Sequence, residues 1–191
     1  MSKDYLIKLR SKFKEFAKIY GVLDIILYGS SVKGKLNPQD LDLLLIFNNL
    51  TLKERLDTLG KFKKLLSGVK GNFDVKTINL IELFDKNLLS RQGILIEGYS
   101  LINDKILAES LGFKGFSLFS YRLGNLDHND KTKFTYALIG RKGEGIIKKL
   151  GADHIGKGAI LVPIENSIIF VEFLDSWKLK YKKKDVLISS I

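Results

Sequence analysis

Cysteine is absent from the 191 residues. That excludes disulfides, thiolate metal sites and thiol nucleophiles, and it fits a reducing, cytoplasmic setting. No apolar run approaches the roughly 20 residues that a membrane helix needs, so no membrane partner is expected. The N-terminal stretch "MSKDYLIKLRSKFKEF" alternates charge with apolar side chains. It reads as an amphipathic helix and not as a signal peptide. The two histidines, His128 and His154, lie far from any ligand spacing and read as caps or surface residues. There is no internal repeat and no low-complexity segment.

What is present describes a globular chain. It is 45% hydrophobic and 28% charged, and long enough for one large domain or two small ones. The formal net charge is +11. Residues 1–109 carry 18 basic and 13 acidic side chains, net +5, and residues 110–191 carry 14 and 8, net +6. The excess is therefore no tail. It favours polyanionic partners such as nucleotides, RNA or DNA. Lysine used for solubility explains the same charge.

Apolar residues at Leu6, Leu9, Phe13, Phe16, Ala17 and Tyr20 mark one face of a helix that Gly21 stops. "VLDIILY" reads as a strand ending at Gly29, and residues 30–36 as a short helical turn. Pro38 in "LNPQD" makes a turn, and "LDLLLIF" is the second strand. A helix follows over "TLKERLDTLGKFKKLLSGV", with Thr51 and Glu54 as a capping box. "NFDVKTINL" is a third strand, "LIELFDKNLLSRQ" a helix and "ILIEGYSLIN" a strand. This order predicts a mixed α/β (α+β) sheet with helices over residues 1–109. Residues 110–191 then read as a smaller basic α+β domain. Its strands are "GFSLFSYRL", "GAILVPI" and "KLKYKKKDVLI". Its helices are "LDHNDKTKFTYALIG", capped by Asp127 or Asn129, "IIKKLG" and "NSIIFVEFLDSW".

The chemistry concentrates in "LYGSSVKGKLNPQDLDLLLIF", residues 27–47. Residues two apart on a strand share a face, so Asp40 and Asp42 project together about 7 Å apart, while Leu41, Leu43 and Leu45 face the core. Two like charges on one face repel, and partial burial adds to the cost. A divalent cation with a taste for hard oxygen ligands, such as Mg²⁺, removes the conflict. Aspartates that cap a turn at an exposed strand start give the same D-x-D pattern. Gly29-Ser30, however, follows a strand and opens a turn whose backbone N–H groups suit phosphate. A third carboxylate, Asp74, sits between apolar Phe73 and Val75. Three carboxylates facing a phosphate-binding turn are the parts that two-metal phosphoryl transfer uses.

The stretch resembles the core of the DNA polymerase β-like nucleotidyltransferases, most closely the minimal nucleotidyltransferase domains. Tyr28, Gly29-Ser30, nine residues and then Asp40-Leu41-Asp42-Leu43 follow that family's pattern over roughly residues 20–108. Lys33 stands where those domains carry arginine. The resemblance implies that Asp40, Asp42 and Asp74 are catalytic and hold two Mg²⁺ ions, with Mn²⁺ as a substitute. It implies that Gly29, Ser30, Ser31 and Lys33 bind an NTP, with ATP as the expected one. The reaction would move NMP to an acceptor on RNA, tRNA, a protein or a small molecule and release pyrophosphate. Such families also include domains that bind nucleotides without catalysis. The alternative is therefore a non-catalytic nucleotide- or nucleic-acid-binding module, or an antitoxin-like partner, on the same fold. "GSSVKGKL" also approaches a phosphate-binding P-loop. Leu36 cannot ligate Mg²⁺, however, and Asn37-Pro38 blocks the long helix a P-loop opens.

Beyond residue 110 the features are basic and aromatic. "GRKGEG" offers backbone N–H groups with Arg141 and Lys142, and Lys180 and Lys182 lie in the lysine-rich strand. These four are the expected nucleic-acid contacts, with a solvated loop and a lysine-protected edge strand as the plainer explanations. Trp177 reads as core. Oligomeric state is left open by the sequence.

Overall fold

The computed structural model describes residues 6, 8–32, 40–141 and 145–189. The chain divides into two compact units, Met1–Leu111 and Gly112–Ile191.

In the first unit, helix α1 spans Arg10–Tyr20 and buries Phe13, Phe16 and Ala17. Gly21 ends it at φ 65°, with its N–H donating to the Ala17 carbonyl. Strand β1 is Val22–Tyr28, followed by a 3₁₀ turn at Gly29–Ser31, then β2 at Asp40–Phe47, helix α2 at Leu52–Leu66 and β3 at Asn72–Asn79. A second 3₁₀ turn covers Leu80–Phe84. Helix α3 is Arg91–Glu97, β4 Tyr99–Ser100, β5 Lys105–Ile106 and α4 Leu107–Ser110. The sheet order is β3-β2-β1-β4-β5. β2 and β3 run parallel across the α2 crossover, and the other neighbours are antiparallel. The sheet is therefore mixed, as the element order implied.

Both faces of β2 are covered. Leu41, Leu43, Leu45 and Phe47 join the core that includes α1 and Phe62 of α2, where the Phe16 and Phe62 rings meet edge-on at 5.1 Å. Leu44 and Ile46 join a second cluster with Ile26, Ile78, Leu83 and Ile94. Helix α2 starts with the expected capping box. Glu54 N donates to Thr51 Oγ1 at 3.4 Å, and Thr51 N donates to Glu54 Oε2 at 2.8 Å. Thr51→Ala is expected to cost about 1 kcal/mol, read as a lower urea midpoint at unchanged m.

Two expected elements differ. The helix expected over residues 80–92 is a 3₁₀ turn, a loop and then the start of α3. The strand expected over residues 94–103 is the rest of α3, two extended residues at Tyr99–Ser100 and then a turn. "ILIE" is a short apolar run that periodicity alone cannot divide between helix and strand. Tertiary context decides for helix. Ile94 is fully buried, and at Gly98 a Cβ would collide with the Ile94 carbonyl, so the chain turns sharply there. β4 is then held by Asp24, whose Oδ1 accepts from Ser100 Oγ at 2.7 Å and Ile25 N at 2.8 Å. Burial raises the Asp24 carboxyl above its ordinary range although these bonds oppose the rise.

In the second unit, β6 spans Phe113–Tyr121, α5 His128–Ile139, α6 Ile146–Leu150, β7 Asp153–Gly156 and β8 Ala159–Pro163. A 3₁₀ turn at Ile164–Asn166 leads to α7 at Ser167–Ser176, and β9 is Tyr181–Ser189. The four strands form an antiparallel sheet in the order β7-β8-β6-β9. Its core holds Phe119, Phe134 and Phe170, and Trp177 packs edge-on against Phe134 at 5.5 Å. Asp127 caps α5, accepting from Asp130 N at 2.8 Å.

Candidate active site

Strand register builds the site. Tyr28 of β1 lies opposite Asp42 of β2, and Asp42 lies beside Asp74 of β3. Directly paired residues point to the same face, so these three side chains form one row across the sheet. Asp40 pairs with Asn72 two positions along the same face, and Leu44 with Lys76 two positions the other way. The row lies where the second apolar cluster of the first unit gives way to polar side chains. Asp42 is half-buried, while Asp40 and Asp74 are exposed.

The Gly29–Ser31 turn closes one side. Gly29 adopts φ 80°, and a Cβ there would collide with Asp42 Oδ2. Glycine is thus required twice, for the left-handed backbone and for the approach of the carboxylate. Ser31 Oγ donates to the Tyr28 carbonyl at 3.3 Å, and Val32 N to the Gly29 carbonyl at 3.2 Å. The Ser31 hydroxyl therefore braces the turn. The first amides of such a turn have no partner within it.

The electrostatics follow from this packing. Burial raises the Asp42 carboxyl above the ordinary range, and the nearby charges of Asp74 and Asp40 raise it further, against the pull of Lys76. The Tyr28 hydroxyl is buried without a well-formed hydrogen bond. Burial raises its pKa first, with Asp42 and Asp74 adding to the shift. Lys76 Nζ sits 3.3 Å from Asp74 Oδ2. Its pKa rises first through the Tyr28 oxygen and then through that hydrogen bond.

These positions fall inside a recognised pattern: residues 6–97 match the family model described as the nucleotidyltransferase domain. The whole of that match lies in the first unit. No curated protein sequence matches the chain. Among solved structures, a mutant of the toxin–antitoxin pair MntA–HpeT is similar at 16% identity and a TM-score of 0.35. The match covers 48% of this chain and 70% of that one. At that score the likeness is too loose to carry an argument.

Within the matched region, Asp42 and Asp74 are brought together, Gly29 is pressed against Asp42, and Ser30 and Ser31 lie in the same turn. Lys33 lies outside the described residues. Asp40 stands one strand step away, and among the described residues no three His, Cys, Asp or Glu side chains are gathered closely enough to enclose a metal ion. The donor chemistry nevertheless fits a hard cation. Asp42 is strained by its carboxylate neighbours, and the Lys76 ammonium already occupies a cation's place beside Asp74.

Lys76 and Tyr28 went unread as site residues. For Lys76 the signal was present, since Asp74 and Lys76 are two apart on one strand and share a face. Of the expected contacts in the second unit, Arg141 lies over the Tyr136 ring at 4.7 Å, and Lys142 lies outside the described residues. Lys180 and Lys182 are exposed.

Proposed function

We propose that this chain is a Mg²⁺-dependent nucleotidyltransferase that moves NMP from an NTP, with ATP as the first candidate, to a hydroxyl acceptor and releases pyrophosphate. The observation that carries the reading is the Asp42–Asp74 pair in cross-strand register with the Gly29 turn against Asp42. Asp40, Asp42 and Asp74 are the residues that would hold the metal. When bound, Mg²⁺ would supply charge neutralisation and polarise phosphoryl oxygens. The chain's own groups do the rest. Backbone N–H groups of the Gly29–Ser31 turn, with the Ser30 hydroxyl, would orient the triphosphate. Asp74 would take the proton of the acceptor hydroxyl. Lys76, once drawn away from Asp74, would place its ammonium against phosphate as a point charge.

The test is incubation with each α-labelled NTP, Mg²⁺ and either total RNA or cell protein. Label transfer that needs Mg²⁺ supports the reading.

A second reading rests on the Lys76–Asp74 ion pair, which neutralises part of the carboxylate cluster without a metal. It makes the domain a nucleotide-binding module or an antitoxin-like partner. Nucleotide binding that ignores EDTA, with no transfer to any acceptor, would decide for it.

A further inference from the structure

The second unit contains a cleft of about 820 Å³, bounded by the ends of β6 and β9 and by the β7–β8 turn. Among the described residues four cationic side chains line it, Arg122, Lys157, Lys180 and Lys182, and no Asp or Glu does. All four are exposed. Among the described residues none of them takes part in an ion pair. A neighbour behaves differently. Lys183, on the opposite face of β9, holds Asp185 at 3.3 Å. Uncompensated cations that share a concavity repel one another, and an anion is what relieves them.

The walls are built firmly. Tyr121 N donates to the Gly158 carbonyl at 2.9 Å, and Gly158 takes φ 73° where a Cβ would strike the Tyr121 carbonyl. Asn125 Nδ2 donates to the carbonyl of Lys178, itself held at φ 53°. The β7–β8 turn and the start of β9 are thereby fixed around the cations. Lys180 and Lys182 are alternate residues, so about 7 Å of backbone separates two charges that project to one side.

We infer that this cleft binds a single strand of RNA through its sugar–phosphate backbone. The volume falls within the range of small-ligand pockets, roughly 300–1,000 Å³. A positively charged groove of this kind suits the backbone of a single strand. Tyr121 is buried against Phe134 and the half-buried Tyr181 packs on Phe119 at 5.9 Å, so contact is expected to run through the phosphates and to be indifferent to sequence. Neutral polar groups, the Ser120 hydroxyl and the Asn125 amide, sit among the cations. They suit the 2′-hydroxyl, which both donates and accepts and distinguishes RNA from DNA. The inference concerns the second unit alone and goes beyond the nucleotidyl-transfer reading. It would supply that reading with an acceptor class.

The test uses the full chain, a short unstructured fluorescent RNA and anisotropy at several salt concentrations, without nucleotide or Mg²⁺. Lys180→Glu/Lys182→Glu is expected to weaken binding by about tenfold or more and to lower the salt slope by about 1.4, at about 0.7 per phosphate contact on a single strand. Lys180→Gln/Lys182→Gln gives a smaller change in the same direction at unchanged Tm. RNA affinity that survives both variants overturns the inference. So does equal affinity for DNA of the same sequence, binding of free ATP or inorganic phosphate as tight as that of RNA, or displacement of the RNA by an acidic polypeptide at matched charge. RNA binding with no label transfer would sink only the nucleotidyl-transfer reading. Transfer to protein with no RNA binding would sink only this one.

Discussion

Asp42→Asn will abolish label transfer and make the metal-free protein more stable. The activity loss is expected to be about a thousandfold or more, because several kcal/mol of transition-state stabilisation are removed at about 1.36 kcal/mol per decade. The stability gain has a separate cause. Burial and the neighbouring Asp74 and Asp40 raise the folded-state pKa of Asp42, so its ionised form is penalised in the native state. A raised carboxyl binds its proton more tightly folded than unfolded, so stability falls as pH rises from the ordinary carboxylate range through the raised value. The penalty is complete above that value. The Tm gap between Asp42→Asn and wild type is therefore widest at neutral pH, with the variant higher, and closes as pH falls through the raised pKa. Mg²⁺ should close the gap from the other side by stabilising only wild type, by about 2.7 kcal/mol at a hundredfold excess over its Kd. Thermal melts from neutral pH down to the carboxylate range, with and without Mg²⁺, check both arms. A variant that melts with or below wild type in the metal-free protein at neutral pH would remove the argument.

Gly29→Ala loses activity and stability together. The left-handed conformation at φ 80° costs an L-residue about 1–2 kcal/mol, and the new methyl displaces the Asp42 carboxylate it would strike. Displacing that carboxylate by an ångström is worth about a hundredfold in rate. The two variants thus share a kinetic phenotype and move Tm in opposite directions, which a general unfolding effect cannot reproduce. Full activity in Gly29→Ala would mean that the turn has no part in holding the reacting groups.

How much of this was readable depends on the range of the interactions. Alternation in "DLDLLLIF" placed Leu41, Leu43 and Leu45 in the core because a strand's period of two is local. Thr51 and Glu54 gave the start of α2 for the same reason, since a capping box needs only four residues. Residues 80–103 misled because their apolar runs are short, and burial of Ile94 under the sheet outweighed the β-branched composition. β7 went unseen because "DHIG" is brief and polar and is a strand only through its pairing with β8. At the site, Asp40, Asp42 and Gly29 carried a motif, whereas the Asp42–Asp74–Lys76 relation needs the β2–β3 register. The basic cleft lay further out of reach. Arg122, Lys157, Lys180 and Lys182 span sixty positions, and only the pairing of β6 with β8 and β9 gathers them.

The α2 crossover bears on how the domain assembles. Asp42 and Asp74 each stand third in their strand of a single β2–α2–β3 unit, so the carboxylates meet when one moderately local loop closes. Docking β3 beside β2 is also the step that forces two negative charges together. Lys76, paired with Asp74 at 3.3 Å, offsets part of that repulsion in the folded domain.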